Sequence, residues 1–223
     1  MENPAMLPGR LTPYGQGELL PVESVLLEHY GVSRTVLREA LQVLISKGML
    51  DSRQRKGTTV KAKTFWQQLD PQFLDWHQGA RGGEQLIARL MEVRRIVEPP
   101  AAALAATRAT EEEKNQIKIA YEKMETSKGN IELFIRADLE FHTAILTASQ
   151  NQFLLPITHA IRTTMMMSLR LTNTDPSENH EISLPLHENI LTAILQGDAA
   201  EATKAMEIHL DDTEKRRSRI RDI

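Results

Sequence analysis

The stretch that decides the fold is "GVSRTVLREALQVLISKG", residues 31–48. Leu37, Ala40, Leu41, Leu44 and Ile45 recur at i, i+3, i+4, i+7 and i+8, which is one apolar stripe of an α-helix. Ser33 is a good N-cap for that helix, and Gly48 ends it as a C-terminal glycine does. Arg34 and Arg38 are four residues apart, so they share one face, and the stripe turns that face outward. Two long cations held together at the exposed start of a short helix need a reason.

The flanking sequence supplies one. "PVESVLLEHY" (21–30) reads as a short helix with Pro at its start and Val25, Leu26 and His29 turned inward, and "GVS" as a tight turn. After Gly48, Met49–Ser52 and Thr58–Lys61 are extended runs around a basic, glycine-containing turn, a small β-hairpin. Helix, turn, basic helix and hairpin in that order outline a winged helix-turn-helix. In that geometry the second helix enters the DNA major groove with its N-terminal residues toward the base edges. The planar fork of Arg34 or Arg38 suits guanine O6 and N7. Ser33 and Thr35 can reach phosphates, and Arg53, Arg55 and Lys56 at the hairpin tip would approach the backbone or minor groove. The bland alternative for these cations is a solvated charged face.

Charge is distributed accordingly. Residues 31–63 hold eight Lys/Arg against Glu39 and Asp51, a net +6, so with −3 overall the remainder carries −9. A basic module on an acidic body fits a polyanion partner for the module alone. Aromatic content of 4% leans toward helices, and the absence of cysteine excludes disulfides, thiolate metal sites and cysteine nucleophiles. There is no apolar run long enough for a membrane helix and no secretory h-region at "MENPAMLPGR", so the expected location is the cytoplasm, with no membrane partner.

Five parts are expected along the chain. Residues 1–19, rich in Pro and Gly, are irregular; 20–63 form the winged helix-turn-helix; 64–83 are a linker carrying both tryptophans; 84–219 are an all-α bundle; 220–223 are a tail. Bundle helices are expected at about 84–107, 110–127, 130–149, 151–172, 183–196 and 198–219.

The bundle contains a second constellation. In "RADLEFHTAI" (136–145), Asp138 and His142 are i and i+4, a spacing that lets a carboxylate and an imidazole hold one ion. His187 opens one later helix and His209 sits late in the next, and the tight "QGDA" turn (196–199) makes those two antiparallel. One Asp and three His then converge, a donor set suited to Zn²⁺, Ni²⁺ or Mn²⁺. From spacing alone, an unrelated pair of histidines beside a local Asp–His pair explains the pattern as well. An enzymatic use of such a site would need a positioned acid–base group. Glu188 is the obvious candidate, and as a helix neighbour of His187 it points away from it.

These stretches resemble a known family. "LPVESVLLEHYGVSRTVLREALQVLISKGMLDSRQRKGTTV" (20–60) is similar to the DNA-binding domain of the GntR superfamily of bacterial transcription regulators. "EVRRIVEPPAAALAATRAT" (92–110), "DLEFH" (138–142), Asn151 and "LPLHENILTAILQGDAAEATKAMEIHL" (184–210) resemble the FCD effector domain of its FadR-like branch. The resemblance implies base contacts by Arg34 and Arg38, a wing around Lys56 and Gly57, and a divalent metal on Asp138, His142, His187 and His209. It further implies a small carboxylate or sugar-acid effector with Arg94 at its pocket, and a homodimer that represses from a two-fold operator in double-stranded DNA. From the residues alone, a helix-surface salt bridge from Arg94 to Glu98, four residues on, explains Arg94 as well. "WQQLDPQFLDW" (66–76) is similar to a segment of galactonate repressors, and His159 and His180 fall outside the metal pattern. There are two departures. Ser24 stands where the family places a DNA-contacting Arg, and only 19 residues precede Leu20, where the family has a further helix, so a regulator that has lost DNA binding is the alternative expectation.

Overall fold

The computed structural model describes residues 14–77, 83–127, 129–154, 156–158, 162, 165–166 and 179–221. The chain divides into two compact units, residues 1–83 and 84–223.

In the first unit, α1 (Glu23–Tyr30) and α2 (Arg34–Ser46) are followed by the strands β1 (Leu50–Arg53) and β2 (Gly57–Val60). The strands pair antiparallel, with Leu50 opposite Val60 and Arg53 opposite Gly57. Ser33 caps α2 by accepting a hydrogen bond from Val36 N at 3.3 Å. The stripe on α2 buries Leu37 and Leu44. On α1, a helix of eight residues, only Leu26 is buried; Val25 and His29 face solvent. Gly48 is fixed by two constraints: its φ of 71° is left-handed, and a Cβ there would lie 2.3 Å from Phe65 O.

Two segments depart from the sequence reading. The end of the stretch expected to be irregular lies along the free edge of β2. There Leu20 N donates to Thr58 O and Gly17 N to Val60 O, both at 2.8 Å, and Val60 N donates to Glu18 O at 3.0 Å. These bonds satisfy an edge that would otherwise be open. Residues 1–13 lie outside the described residues. The expected linker begins as part of the first unit. Trp66, Phe73 and Trp76, the last two on α3 (Pro71–His77), pack with Leu20, Leu44, Met49, Leu50 and Val60. Lys47 Nζ meets Asp70 Oδ2 at 2.6 Å, and Gln67 Nε2 donates to Ser46 O, so the C-terminal end of α2 is clamped to this segment. Residues 78–82 are outside the description.

The second unit is helical: α4 (Gly83–Arg108), α5 (Glu111–Thr126), α6 (Ile131–Ala148), α7 (Leu184–Gln196) and α8 (Ala199–Arg221). These follow the periodic segments read from the sequence. Thr110 and Glu113 form a reciprocal capping box for α5, and Asn130 Oδ1 accepts from Leu133 N at the start of α6. Ala102, Ala105 and Ala106 of α4 let neighbouring helices come close around Phe134, Phe141, Ile190, Ile194, Met206 and Leu210. Pro99 and Pro100 sit inside α4. They supply no N–H, so the carbonyls of Arg95 and Ile96 lose their helical partners just beside Glu98. The helix expected over 151–172 lies largely outside the described residues, as does His159. Of its start, Gln152–Leu154 form a 3-10 turn, and residues 156–158, 162 and 165–166 are helical.

Candidate functional site

α6 turns Phe134, Ala137, Asp138, Phe141, His142 and Ile145 inward together, which is why the Asp138–His142 pair lies in the core and not on the surface. α7 brings His187 and α8 brings His209 to the same place, and all four side chains are buried. The ring centroids are 5.5 Å apart for His142–His187, 5.1 Å for His142–His209 and 4.3 Å for His187–His209. One nitrogen from each ring falls within 4.8 Å of the others. Two bonds of about 2.1 Å span roughly 4.2 Å, so small side-chain rotations would close the set on one ion.

The hydrogen bonds around the rings say which atoms face inward. His187 Nδ1 donates to Ser183 O at 2.8 Å, because a carbonyl can only accept. The neutral ring then presents the lone pair of Nε2. His142 Nδ1 is 2.7 Å from Glu98 Oε2, too close for two lone pairs, so the nitrogen carries the proton even though the approach is off the ideal N–H direction. His142 Nε2 therefore also presents a lone pair. Both lone pairs face Asp138 Oδ1, at 3.3 Å from His142 and 3.6 Å from His187. Asp138 Oδ1, His142 Nε2, His187 Nε2 and His209 Nδ1 are all buried without a hydrogen-bond partner. Acceptors aimed at one another with no donor between them call for a cation. These residues fit a divalent metal.

Electrostatics agree with this. Burial pushes the Asp138 carboxyl up, but positive charge on the His187 and His142 rings and the Arg94 guanidinium outweighs it and holds it below its ordinary value; with both rings neutral, a cation bound to them would supply that charge. Burial, reinforced by the other two rings and by Arg94 and Arg216, holds His209 well below the ordinary histidine value. Asp138 is ionised and His209 neutral at pH 7, as ligands must be.

Arg94 is 1% exposed and bound to Glu98, with Nε 2.5 Å from Oε1 and Nη2 3.1 Å from Oε2. Its Nη1 is 3.8 Å from Met91 Sδ. The sequence reading left a salt bridge to Glu98 as an alternative for Arg94, but as a surface pair; the pair is in the core. Glu98 was missed as a site residue. Its signal was the i, i+4 pairing in "RRIVE", but nothing in the sequence shows that His142 lies across from it. Glu188 is exposed and takes no part in the cluster. The His180 side chain is outside the description.

The basic face lies in the first unit. Arg34 and Arg38 side chains are 77% and 68% exposed, and both reach Glu23 on α1, at 3.8 Å and 3.3 Å. Thr35 is exposed, and the Ser33 hydroxyl is engaged as the cap of α2. At the hairpin tip, Arg55 has a left-handed φ of 66° and Gly57 one of 84°. Arg53, Arg55, Lys56 and Gly57 are all exposed, with Arg53 Nε 2.8 Å from Asp51 Oδ2. Glu23 was not foreseen as the partner of both α2 arginines.

Comparison with known proteins places the two units. Residues 9–60 match the family "Bacterial regulatory proteins, gntR family", and residues 89–212 match the FCD domain. The chain is 34% identical over 207 residues to the HTH-type transcriptional regulator YieP of Escherichia coli, covering 91% of this chain and 87% of that one. It is 32% identical over 190 residues to the galactonate operon transcriptional repressor of the same organism (84% and 83% covered). It is 30% identical to LutR of Bacillus subtilis (92% and 93% covered). Among solved structures, the Lar regulator of Listeria monocytogenes superposes with a TM-score of 0.62 at 19% identity, covering 93% of this chain and 90% of that one, which supports the fold. The winged helix-turn-helix, the helical bundle and these matches together make the chain a transcriptional regulator of the GntR family with a C-terminal FCD domain.

Proposed function

We propose that the protein is a metal-dependent, acid-responsive repressor that binds operator DNA as a homodimer. The observation that carries the metal half is the set of buried, unpartnered acceptors on Asp138, His142, His187 and His209. Zn²⁺ is the first choice for three imidazoles and a carboxylate, with Ni²⁺ and Mn²⁺ as alternatives. The metal would leave positions open for the carboxylate or hydroxyl of a small acid. The similarity to a galactonate operon repressor favours a sugar acid. With Nε and one Nη2 hydrogen of Arg94 on Glu98, such an acid would meet Arg94 through Nη1 and the second Nη2 hydrogen. The acid regulates by preferring one of the protein's DNA-affinity states over the other.

On DNA, Arg34 and Arg38 read bases, Ser33 and Thr35 lie at phosphates, and Arg53, Arg55, Lys56 and Gly57 form the wing contact. Dimerisation matches the two-fold symmetry of operators. The test of the metal site is stoichiometry. Wild-type protein purified without chelator is expected to carry one divalent metal per chain, and His142→Ala none. A His142→Ala protein that retains a full equivalent would overturn the assignment.

A further inference from the structure

Two carboxylates, Asp138 and Glu98, lie against His142, and their surroundings separate them. Asp138 Oδ1 has no partner. Glu98 Oε1 takes Arg94 Nε, and Oε2 takes Arg94 Nη2 and lies 2.7 Å from His142 Nδ1. Arg94, Glu98 and His142 are each 1% exposed, so no water competes for these contacts. With these contacts three of the roughly four lone-pair sites of Glu98 are engaged, whereas Asp138 Oδ1 is free to turn to a metal.

We infer that Glu98 is a positioning residue of the metal site, holding His142 in the Nδ1–H tautomer so that Nε2 faces the metal, and that Arg94 is the clamp that fixes Glu98. This rests on the metal reading above. A neutral imidazole in water prefers the Nε2–H tautomer, which would point a proton at the metal position. An ionised acceptor at Nδ1 reverses that preference and makes the ring a better donor. The guanidinium keeps Glu98 from competing with Asp138 as a ligand, because its fork occupies both oxygens. His187 obtains the same tautomer from a backbone carbonyl, Ser183 O, so the two rings are set by different devices for one result.

Two full-length variants test this. Arg94→Met with Glu98→Leu removes the pair together, so that neither member is left as an unpaired buried charge. Glu98→Gln keeps an oxygen near Nδ1 and loses the ionised acceptor. The readouts are Zn²⁺ affinity by chelator competition and the His142 tautomer from ¹⁵N ring shifts in metal-free protein. The double variant is expected to lose 10- to 100-fold in Zn²⁺ affinity and to shift His142 toward Nε2–H, with Glu98→Gln in between. Should the double variant not fold, a loss of affinity or tautomer control in Glu98→Gln carries the same decision. Variants that bind Zn²⁺ as tightly as wild type, with an unchanged tautomer, overturn the inference and leave the metal reading standing. Wild type that binds no Zn²⁺, Ni²⁺ or Mn²⁺ overturns the metal reading; the metal-free tautomer still decides whether Glu98 sets the ring. His142 found as Nε2–H in wild type refutes the inference directly.

Discussion

At the residue scale, the same side-chain types do opposite work in the two units. Arg34 and Arg38 are held out in solvent with Glu23 as their ion-pair partner, and an exposed pair of this kind contributes little to stability. Their cost of exchange onto DNA is therefore small. Arg34→Ala is expected to weaken specific operator binding by roughly 1–3 kcal/mol and to relax the preference at one base pair, while thermal stability stays within about 0.5 kcal/mol. Competition binding on operator variants and a melting curve measure both; unchanged discrimination would remove Arg34 from the base-reading set. Arg94, by contrast, is locked in the core. The sequence shows both arginines as cations on helices, and only the packing of α6 against α4 tells them apart. Asp138 and His142 were legible as a pair because i, i+4 spacing is a local fact, and the family resemblance fixed His187 and His209 as their partners. Glu98 and Glu23 were not, because each acts on a residue far away in the chain.

At the element scale, helices α6, α7 and α8 meet around ionisable groups instead of a dry apolar seam, which makes the metal-free bundle sensitive to acid. His209 is neutral when folded and binds a proton below about pH 6.5 when unfolded. The unfolded state then binds more protons, so stability falls as pH drops below that value, by up to about 1.4 kcal/mol per pH unit for one group. Glu98 adds a second, lower window. Burial raises its carboxyl, but Arg94 and His142 outweigh burial and bring it from 4.5 down to about 2. Its contribution is complete above pH 4.5 and disappears as pH falls toward 2. Urea unfolding of metal-free protein at pH 7.5 and 5.5 is expected to show a loss on the order of 1 kcal/mol that is smaller in His209→Asn. Equal pH dependence in the two proteins would contradict the assignment of His209. The helices themselves were legible from apolar period, caps and turns: Ser33 and Gly197 mark boundaries that the structure keeps. The pairing of residues 17–20 with β2 was not, since backbone hydrogen bonding along a short edge leaves no pattern in side chains.

At the scale of the whole molecule, a regulator needs a reading head and a sensor, and the chain divides at residue 83 into two units, one carrying each set of residues. The asymmetry of charge already separates them: +6 over residues 31–63 and −9 over the rest. The head is further stiffened from below, because Lys47–Asp70, Gln67 and the close approach of Phe65 O to Gly48 bind the following segment to the end of α2. The central claim is that this head selects a sequence and is not merely a basic surface. The most direct test mixes the purified full-length protein with fragmented genomic DNA at about 150 mM salt, where purely electrostatic binding is weak, and sequences what remains bound. A two-fold symmetric site enriched by the wild type and lost with Arg34→Ala is the predicted result. Retention of DNA without any enriched sequence, or of the same sequence by both proteins, would contradict it.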